Sequence, residues 1–167
     1  MIRCENAQDA SAIYHVHTQA FGRENEAELV NKIRRSDCYI SQMSFVAEVD
    51  DIIVGHILFS YINLVGAETL QVLSLAPLAV VPKFQKQGIG STLVQIGLEN
   101  ADNLGEALIV VLGHPQFYSR FGFQPSINYG IESPFPVPED VFMVKLLTNY
   151  QKKYQGKVVY PPAFQEV

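Results

Sequence analysis

Polar and apolar residues recur over residues 10–21 with the period of a helix. Apolar and aromatic side chains recur there three or four residues apart, which predicts a helix with one buried face. Asn6, with Asp9 three residues later, is typical of a capped helix start. Gly22 is suited to end the same helix. The pattern therefore predicts that a short strand at residues 2–5 leads directly into the first helix.

Two later stretches have the same helical period. Asn25 and Glu28 form a second capping pattern in front of apolar residues, and they predict the start of a second helix. A third apolar stripe begins at Ile89 and ends before Gly105, a residue that suits a helix end. Residues 115–121 predict a short fourth helix.

Runs of β-branched and aromatic residues predict the strands. Asp50 and Asp51 separate two such runs and indicate a hairpin. Residues 107–112 are continuously apolar, which is typical of a strand buried on both faces. Because this run follows a strand and a helix, we expect a right-handed parallel crossover. The predicted strands cover residues 2–5, 44–49, 52–61, 70–81, 107–112, a segment starting at Phe123, and 141–147 as the last strand, with a loop at 126–140.

The order of these elements predicts an α/β (α+β) fold, in which a mixed, strongly twisted sheet of about seven strands is flanked by about four helices. The chain has 167 residues, of which 48 % are hydrophobic and 17 % charged, and this is typical of one globular domain. We therefore expect a single domain over residues 1–167. Residues 148–167 are predicted to be a C-terminal extension that Tyr160 and Phe164 pack on the sheet.

Charge and cysteine content exclude several classes of function. The net charge of −5 and the isoelectric point of about 5.3 argue against general binding to nucleic acid or to anionic membranes. The sequence has no apolar stretch of membrane-spanning length, and its first residues lack the apolar core of a signal peptide. Cys4 and Cys38 match no metal or redox spacing, and His15 and His17 point to different sides of their helix. We expect a cytoplasmic protein without a bound metal.

A glycine-rich turn at the start of the third predicted helix indicates a phosphate site. Gly88 and Gly90 lack side chains, so main-chain N–H groups there can approach a ligand closely. The helix start adds unpaired N–H groups and the positive end of the helix dipole. Together these groups are suited to bind an anion such as phosphate. Positive charges and hydroxyl donors lie nearby at Lys83, Lys86, Ser91 and Thr92.

Three motifs in this chain resemble the GNAT superfamily of N-acetyltransferases. The spacing excludes the nucleotide P-loop and the dinucleotide-binding pattern, whereas Gln85-Lys-Gln-Gly88-Ile-Gly90 resembles the Q/R-x-x-G-x-G/A pyrophosphate loop of that family. The preceding strand LAPLAVVP and the later segment FYSRFGF add to the resemblance, which covers nearly the whole chain. The likeness is greatest to a small bacterial, YhbS-like branch of predicted acetyltransferases.

The resemblance implies that acetyl-CoA is the cosubstrate and that the sheet is splayed at its central parallel pair. Pro77 interrupts the strand there, and a proline within a strand favours an edge or a bulge. In the family, the pantetheine arm of the cofactor lies beside this strand. The residues that the resemblance and the loop chemistry assign to the cofactor are Leu78, Ala79, Val80, Gln85, Lys86, Gln87, Gly88, Ile89, Gly90, Ser91, Phe117 and Tyr118.

Tyr118 is predicted to be the general acid. It matches the family's Y-x-x-x-G-F segment, and a tyrosine with a pKa of about 10 stays protonated at neutral pH. The pattern does not determine the general base, because residues 73–81 contain no carboxylate, although some relatives place one there. His114, which follows the apolar strand, is one candidate. A water chain held by other polar side chains, or a pocket that favours the neutral amine, would be an alternative.

The acceptor is expected to be a primary amine of a small molecule, a peptide or a protein that attacks the thioester directly in a ternary complex. In the family, the loop between the first helices and a late loop hold the acceptor. Glu24, Glu28 and Phe135 are the predicted acceptor residues, because carboxylates attract a cationic amine and a phenyl ring adds an apolar wall. A monomer, or a homodimer paired through an exposed sheet edge, is expected.

Two other functions stay open at this point. One alternative is a non-catalytic acyl-CoA-binding sensor, which the missing strand carboxylate favours and the presence of Tyr118 disfavours. The other is an acyltransferase that uses a longer acyl chain or a hydroxyl acceptor. Turnover with a panel of amines and acyl donors distinguishes these functions.

Overall fold

The computed structural model describes residues 1–164, which form a nine-stranded mixed sheet with helices on both faces. The strands are β1 (Ile2–Cys4), β2 (Tyr39–Val49), β3 (Ile52–Val65), β4 (Thr69–Val80), β5 (Leu108–Leu112), β6 (Gln124–Pro125), β7 (Ile131–Glu132), β8 (Phe142–Leu146) and β9 (Gly156–Val159). The α-helices are α1 (Ala10–Phe21), α2 (Asn25–Arg34), α3 (Ile89–Asn103) and α4 (Pro115–Tyr118). Within this described part of the chain, no helix has the length and apolar character needed to cross a membrane.

The strand order in the sheet is β1-β2-β3-β4-β5-β8-β6, and β9 pairs with both β3 and β7. Neighbouring strands are antiparallel except for β4 with β5 and β7 with β9. This mixed topology, with a parallel pair at its centre, confirms the predicted fold class. The hairpin between β2 and β3 is also confirmed: its turn residues Asp50 and Asp51 have φ angles of 51° and 63°, as a two-residue turn between twisted strands requires.

The two predicted capping patterns had different outcomes. Asn6 and Asp9 form the predicted capping box, although it caps a short 3-10 turn that leads into α1. The second pattern is wrong, because Asn25 lies inside α2 and no described side chain caps that helix. The main-chain N–H of Glu28 donates to the carbonyl of Glu24 at 2.8 Å, so α2 begins one residue earlier than the pattern predicts.

The C-terminal region differs most from the prediction. The pattern predicts 141–147 as the last strand, but β9 follows it and β7 lies inside the predicted loop. β9 pairs with the far end of β3, where Val65 faces Lys157. Both added strands are too short to show an alternating pattern, which is why the sequence predicts too few strands. Part of the predicted extension at 148–167 therefore belongs to the sheet, and residues 165–167 lie outside the described residues.

Helices cover both faces of the sheet. Leu58 on β3 packs in an apolar cluster with residues of α1 and α2. Its neighbour Phe59 packs against α3, where a Cβ on Gly97 would lie 2.1 Å from the Phe59 ring. Because successive strand residues point to opposite faces, α1 and α2 lie on one face of the sheet and α3 on the other. Gly97 allows α3 to approach the sheet closely.

A chain of buried polar side chains lies between α1 and the sheet. His17 and His56 are fully buried, and His17 Nε2 lies 2.8 Å from His56 Nδ1. On its other side, His56 Nε2 lies 2.8 Å from the hydroxyl of Ser44, which donates to the carboxylate of Glu5. Because a carboxylate only accepts, the hydrogen bonds run from His17 through His56 and Ser44 to Glu5. Glu5 also pairs with Arg34 at 3.0 Å.

Candidate active site

The glycine-rich loop before α3 borders a pocket of about 450 Å³, called the phosphate pocket below. Gly88 precedes the helix with a φ angle of +87°, a conformation that favours glycine. No side chain caps this helix end in the described chain, so its first N–H groups are available to a ligand. The loop is tied back to β4, because Gln85 Nε2 donates to the carbonyl of Val80 at 2.9 Å. The local geometry therefore suits an anion.

Arg120 adds a cation to the phosphate pocket. Its Nη2 atom donates to Ser91 Oγ at 3.0 Å, which places the guanidinium beside the start of α3. The guanidinium carbon also lies 5.3 Å from the centre of the Phe117 ring and 5.5 Å from that of Phe121. These two ring contacts stabilise the position of an exposed side chain. A planar guanidinium can bind phosphate oxygens through two parallel hydrogen bonds, which Lys86 at the same pocket cannot do.

The two central parallel strands separate close to this pocket. In the described chain, pairing of β4 with β5 stops after Ser74. The register of β4 against β3 also shifts around Pro77, where β4 carries one extra residue. The predicted bulge and the predicted splay are therefore both confirmed. Over residues 75–80, the edge of β4 that faces β5 can bond an extended ligand in place of a strand.

A larger cavity of about 900 Å³, called the splay cavity below, lies where β4 and β5 separate. Residues 74–78 of β4 and the end of β5 form part of its lining, and Tyr118 on α4 borders the same space. Phe21 at the end of α1 and Leu29 on α2 contribute another part. β9 and residues 134–135 complete it. Elements that are far apart in sequence thus meet around one cavity.

Two of the side chains in the splay cavity that can transfer protons belong to the segment after β5. Tyr118 is 8 % exposed, and desolvation by burial raises the pKa of its hydroxyl to about 12, so it stays protonated at neutral pH. Its ring packs edge-on against Phe117 and Phe123, at centroid distances of 4.9 and 5.5 Å. His114 is exposed and precedes α4, where its carbonyl accepts the N–H of Tyr118 at 3.1 Å. Both side chains therefore reach the splay cavity from the short segment that follows β5.

The acidic group in the splay cavity differs from those that the sequence pattern favours. Glu26 lines the cavity, whereas Glu24 and Glu28 do not belong to its described lining. Arg23 binds both carboxylate oxygens of Glu26, at 3.0 and 2.5 Å, and these hydrogen bonds lower the pKa of Glu26. Glu28 instead accepts the hydroxyl of Tyr14 at 2.7 Å. Glu26 is therefore the glutamate of this region that borders the splay cavity, and Glu24 and Glu28 stay predictions as acceptor residues.

Most of the predicted cofactor residues border one of the two cavities. Leu78 and Tyr118 line the splay cavity, as does the predicted acceptor residue Phe135. Ala79 and Gln87 belong to neither described lining. The other predicted residues line the phosphate pocket, and these are Val80, Gln85, Lys86, Gly88, Ile89, Gly90, Ser91 and Phe117.

Several residues at the two cavities are not predicted from the sequence to belong to a site. Arg120 lies inside the FYSRFGF motif, and a cation three residues after Phe117 was the signal that could have found it. Lys157 and Tyr160 reach the splay cavity from β9 and the segment after it, a strand that the pattern does not predict. Burial raises the pKa of Tyr160 to about 12, although a hydrogen bond with Ser74 opposes this shift.

Comparison with known proteins agrees with this geometry. A family model described as an acetyltransferase (GNAT) domain matches residues 41–125, which include β3, β4, the phosphate pocket and α4. The chain is also similar to YjhQ, an uncharacterized N-acetyltransferase of Escherichia coli strain K12. The two are 37 % identical over 155 residues, which cover 90 % of this chain and 86 % of YjhQ.

Two solved structures have the same fold over almost the whole chain. One is the GNAT family N-acetyltransferase YhbS from Escherichia coli in complex with CoA, with a TM-score of 0.90 and 32 % identity over 99 % of this chain and 92 % of that one. The other is a GNAT family acetyltransferase from Brucella melitensis in complex with acetyl-CoA, with a TM-score of 0.81 and 31 % identity over 99 % and 97 % of the two chains. The chain belongs to the GNAT family of N-acetyltransferases.

Proposed function

We propose that this protein is an acetyl-CoA-dependent N-acetyltransferase that moves the acetyl group directly to a bound primary amine. One observation carries the proposal: the open edge of β4 runs from Leu78 in the splay cavity to Val80 in the phosphate pocket. A cofactor with a phosphate group at one end and a reactive thioester at the other suits such a path. The complexes of YhbS with CoA and of the Brucella protein with acetyl-CoA support the choice of cofactor.

The proposed cofactor site divides into two parts. The loop from Gln85 to Ser91 and the Arg120 guanidinium bind the pyrophosphate, through N–H groups at the helix start and through charge. The pantetheine arm lies along residues 75–80 of β4, with Phe117 beside it, and uses the main-chain groups that β5 leaves unpaired. Main-chain N–H groups near Leu78 polarise the thioester carbonyl, as in an oxyanion hole.

The proposed reaction needs one bond made and one bond broken. The nitrogen of a neutral amine attacks the carbonyl carbon of the thioester, and the carbon–sulfur bond breaks. Tyr118 gives its phenolic proton to the departing thiolate and regains a proton from solvent. The proton lost by the amine passes to His114, whose exposed imidazole can release it to water. The products are an N-acetyl amine and the thiol form of CoA.

Binding and transfer should be measured separately. Calorimetry with CoA and acetyl-CoA tests the cofactor site, and thiol release with a panel of primary amines tests the transfer. We expect both ligands to bind, and thiol to be released only when an accepted amine is present. Binding without release on any amine would favour an acyl-CoA sensor, and no binding at all would overturn the proposal. Propionyl-CoA and succinyl-CoA in the same assay define the range of acyl donors.

The role of Tyr118 predicts a specific kinetic change. Tyr118→Phe keeps the ring contacts but removes the acid, so we expect kcat to fall about 10²-fold while KM for acetyl-CoA changes by less than about threefold. Tyr129→Phe is the matched control, because it removes a hydroxyl that donates to Gln124 at 2.8 Å and lies in neither cavity lining. A Tyr118→Phe enzyme with the wild-type kcat would contradict the assigned role.

A further inference from the structure

Solvent-exposed apolar side chains concentrate at the splay cavity. Among residues 1–164, nine large apolar side chains are well exposed, and four of these line this one cavity. The four are Phe21 (40 % exposed), Leu112 (45 %), Phe135 (42 %) and Val159 (43 %). Apolar surface left open around a cavity marks a binding site for an apolar group. The exposed apolar lining therefore suits an acceptor that itself contains an apolar group.

Three aromatic rings form a continuous wall on one side of the splay cavity. The Phe135 ring is stacked on Tyr160, with centroids 5.5 Å apart and planes inclined by 25°. Tyr160 in turn contacts Phe164 at a centroid distance of 5.0 Å. All three residues belong to the lining, and below they are called the aromatic wall. A flat ring can extend such a stack at the distances that aromatic pairs prefer.

The charges at the splay cavity argue against a polycationic acceptor. Within the described lining Glu26 is the only carboxylate, and Arg23 already binds both of its oxygens. Lys157 adds a positive charge to the same lining. A polyamine or an aminoglycoside brings several positive charges into a site that offers no unpaired carboxylate among the described residues. A molecule with one amine and little other charge suits these surroundings better.

The size of the cavity argues against a lysine side chain as the main occupant. Lysine carries its amine on a flexible stem of four carbons, which needs only a narrow channel. The splay cavity has a volume of about 900 Å³, within the range of pockets that enclose a whole small molecule. Part of this volume receives the thioester end of the cofactor, and the remainder faces the aromatic wall.

We propose that the acceptor is a small primary amine carried by an aromatic body. The aromatic wall binds the body, and the amine reaches the thioester beside Tyr118. This inference rests on the proposed function, because only an acetyl transfer gives the second molecule the role of acceptor. It goes beyond that function by naming the chemical class of the amine and the side chains that select it.

Binding of the amine tests the inference without any turnover. In this experiment, 2-phenylethylamine is titrated into the CoA-loaded protein in a calorimeter, with ethylamine as the ligand that lacks the ring. We expect saturable binding of 2-phenylethylamine alone, and a roughly tenfold weaker affinity in Phe135→Ala. Leu104→Ala is the matched control, since it removes an apolar side chain that is 47 % exposed and outside the cavity lining. It should keep the wild-type affinity.

Turnover provides the second readout. We expect kcat/KM for 2-phenylethylamine to exceed that for ethylamine by at least about tenfold. Two other amines should be poorer acceptors than 2-phenylethylamine. They are spermidine and Nα-acetyl-lysine amide, whose free amine is on the side chain. In Phe135→Ala the preference for the ring should shrink through a higher KM for 2-phenylethylamine, whereas Leu104→Ala should keep the wild-type preference.

The two measurements separate the inference from the proposed function. Acetylation of ethylamine, spermidine or the lysine amide, with no preference for 2-phenylethylamine and no binding of it, overturns the inference and leaves the transferase function in place. Binding of 2-phenylethylamine that depends on Phe135, without turnover on any amine, supports the aromatic site and overturns the transferase function. Equal affinity in wild type and Phe135→Ala overturns the part assigned to the aromatic wall.

Discussion

Arg120 supplies the planar cation of the phosphate pocket, so its removal should weaken cofactor binding. Arg120→Ala removes the bond to Ser91 Oγ at 3.0 Å and the charge beside the helix start. Because the side chain is exposed, water screens part of its effect, and we expect the Kd for CoA to rise roughly tenfold. The same titration at higher salt should show a smaller difference between variant and wild type.

Two further variants distinguish whether the geometry of Arg120 or its charge alone determines the affinity for CoA. Arg120→Lys keeps the charge without the two parallel donors, so its affinity for CoA should lie between those of wild type and Arg120→Ala. Arg35→Ala removes the same charge from the exposed end of α2, outside the phosphate pocket, and should bind CoA like the wild type. Equal losses of affinity for CoA in Arg35→Ala and Arg120→Ala would show that net charge alone causes the effect. That outcome would contradict a specific phosphate contact.

Individual site residues were predictable from sequence where a local motif fixes them. Gly88 and its neighbours belong to such a motif, and they line the phosphate pocket. The prediction of Glu24 and Glu28 rests on the family's acceptor loop and on charge, and neither reveals helix phase. Glu26 and Leu29 are three residues apart on α2 and so share a face, which is the face toward the splay cavity. The phase of the apolar stripe formed by Leu29, Val30 and Ile33, and not charge, shows which glutamate lies on that side of α2.

At the scale of one element, the contact of α3 with β3 predicts a destabilising variant. Gly97→Ala should improve helix propensity by up to about 1 kcal/mol, but the new Cβ would lie 2.1 Å from the fully buried Phe59 ring. Because this ring has no room to move, we expect overpacking to dominate, with a net loss of about 1–3 kcal/mol in the free energy of unfolding. Urea denaturation measures the change.

Gly90→Ala is the matched control for Gly97→Ala. It places the same methyl group on the same helix, where the nearest atom is Val80 Cγ2 at 3.9 Å. Because only helix propensity changes at this position, the free energy of unfolding should stay equal or rise by up to about 1 kcal/mol. Similar losses in both variants would show that backbone effects, and not the contact with Phe59, determine the result. Gly90 lines the phosphate pocket, so this control applies to stability only.

Most elements were predictable from sequence, and the long ones show the clearest pattern. The long strands β3 and β4 and the helices α1 and α3 each contain enough residues to show a period, and the bulge in β4 was signalled by Pro77. β7 has two residues and β9 has four, so neither shows an alternation that can be distinguished from loop sequence. Their position is set by pairing with each other and with β3, which only the folded chain contains. The sequence singles out Phe135, Tyr160 and Phe164 separately, but only the folded chain shows that their rings stack into one wall.

At the scale of the whole molecule, the buried polar chain connects four elements of the fold with Glu5 after β1, and it makes the stability of the fold depend on pH. Desolvation by burial lowers the pKa of His17 to about 2, and it also lowers the pKa of His56. Burial alone would raise the pKa of Glu5, but its interactions with His56 and Ser44 lower it, with help from the charge of Arg34. Asp9, which lies close enough to act on His56, has its pKa lowered chiefly by Arg3.

These shifts give the folded protein a defined sensitivity to acid. The unfolded chain protonates histidine near pH 6.5, whereas the folded chain keeps His17 neutral down to about pH 2. Between these values the unfolded state binds more protons, so stability falls as the pH falls. Glu5 acts at lower pH, because its contribution is present above the carboxylate's unfolded pKa and is lost only as the pH falls toward its lowered folded pKa.

His17→Phe should therefore separate stability from its pH dependence. The phenyl ring leaves His56 Nδ1 without its donor, so we expect a loss of about 1–3 kcal/mol in the free energy of unfolding near neutral pH. Between about pH 7.5 and 5.5, however, the variant should lose about 1.4 kcal/mol less than the wild type, because one neutral buried imidazole has been removed. His15→Phe removes an exposed imidazole from the same helix and should keep the wild-type pH dependence. If the change in the free energy of unfolding between the two pH values, measured by urea denaturation, were the same for wild type and His17→Phe, His17 would not contribute to the acid sensitivity.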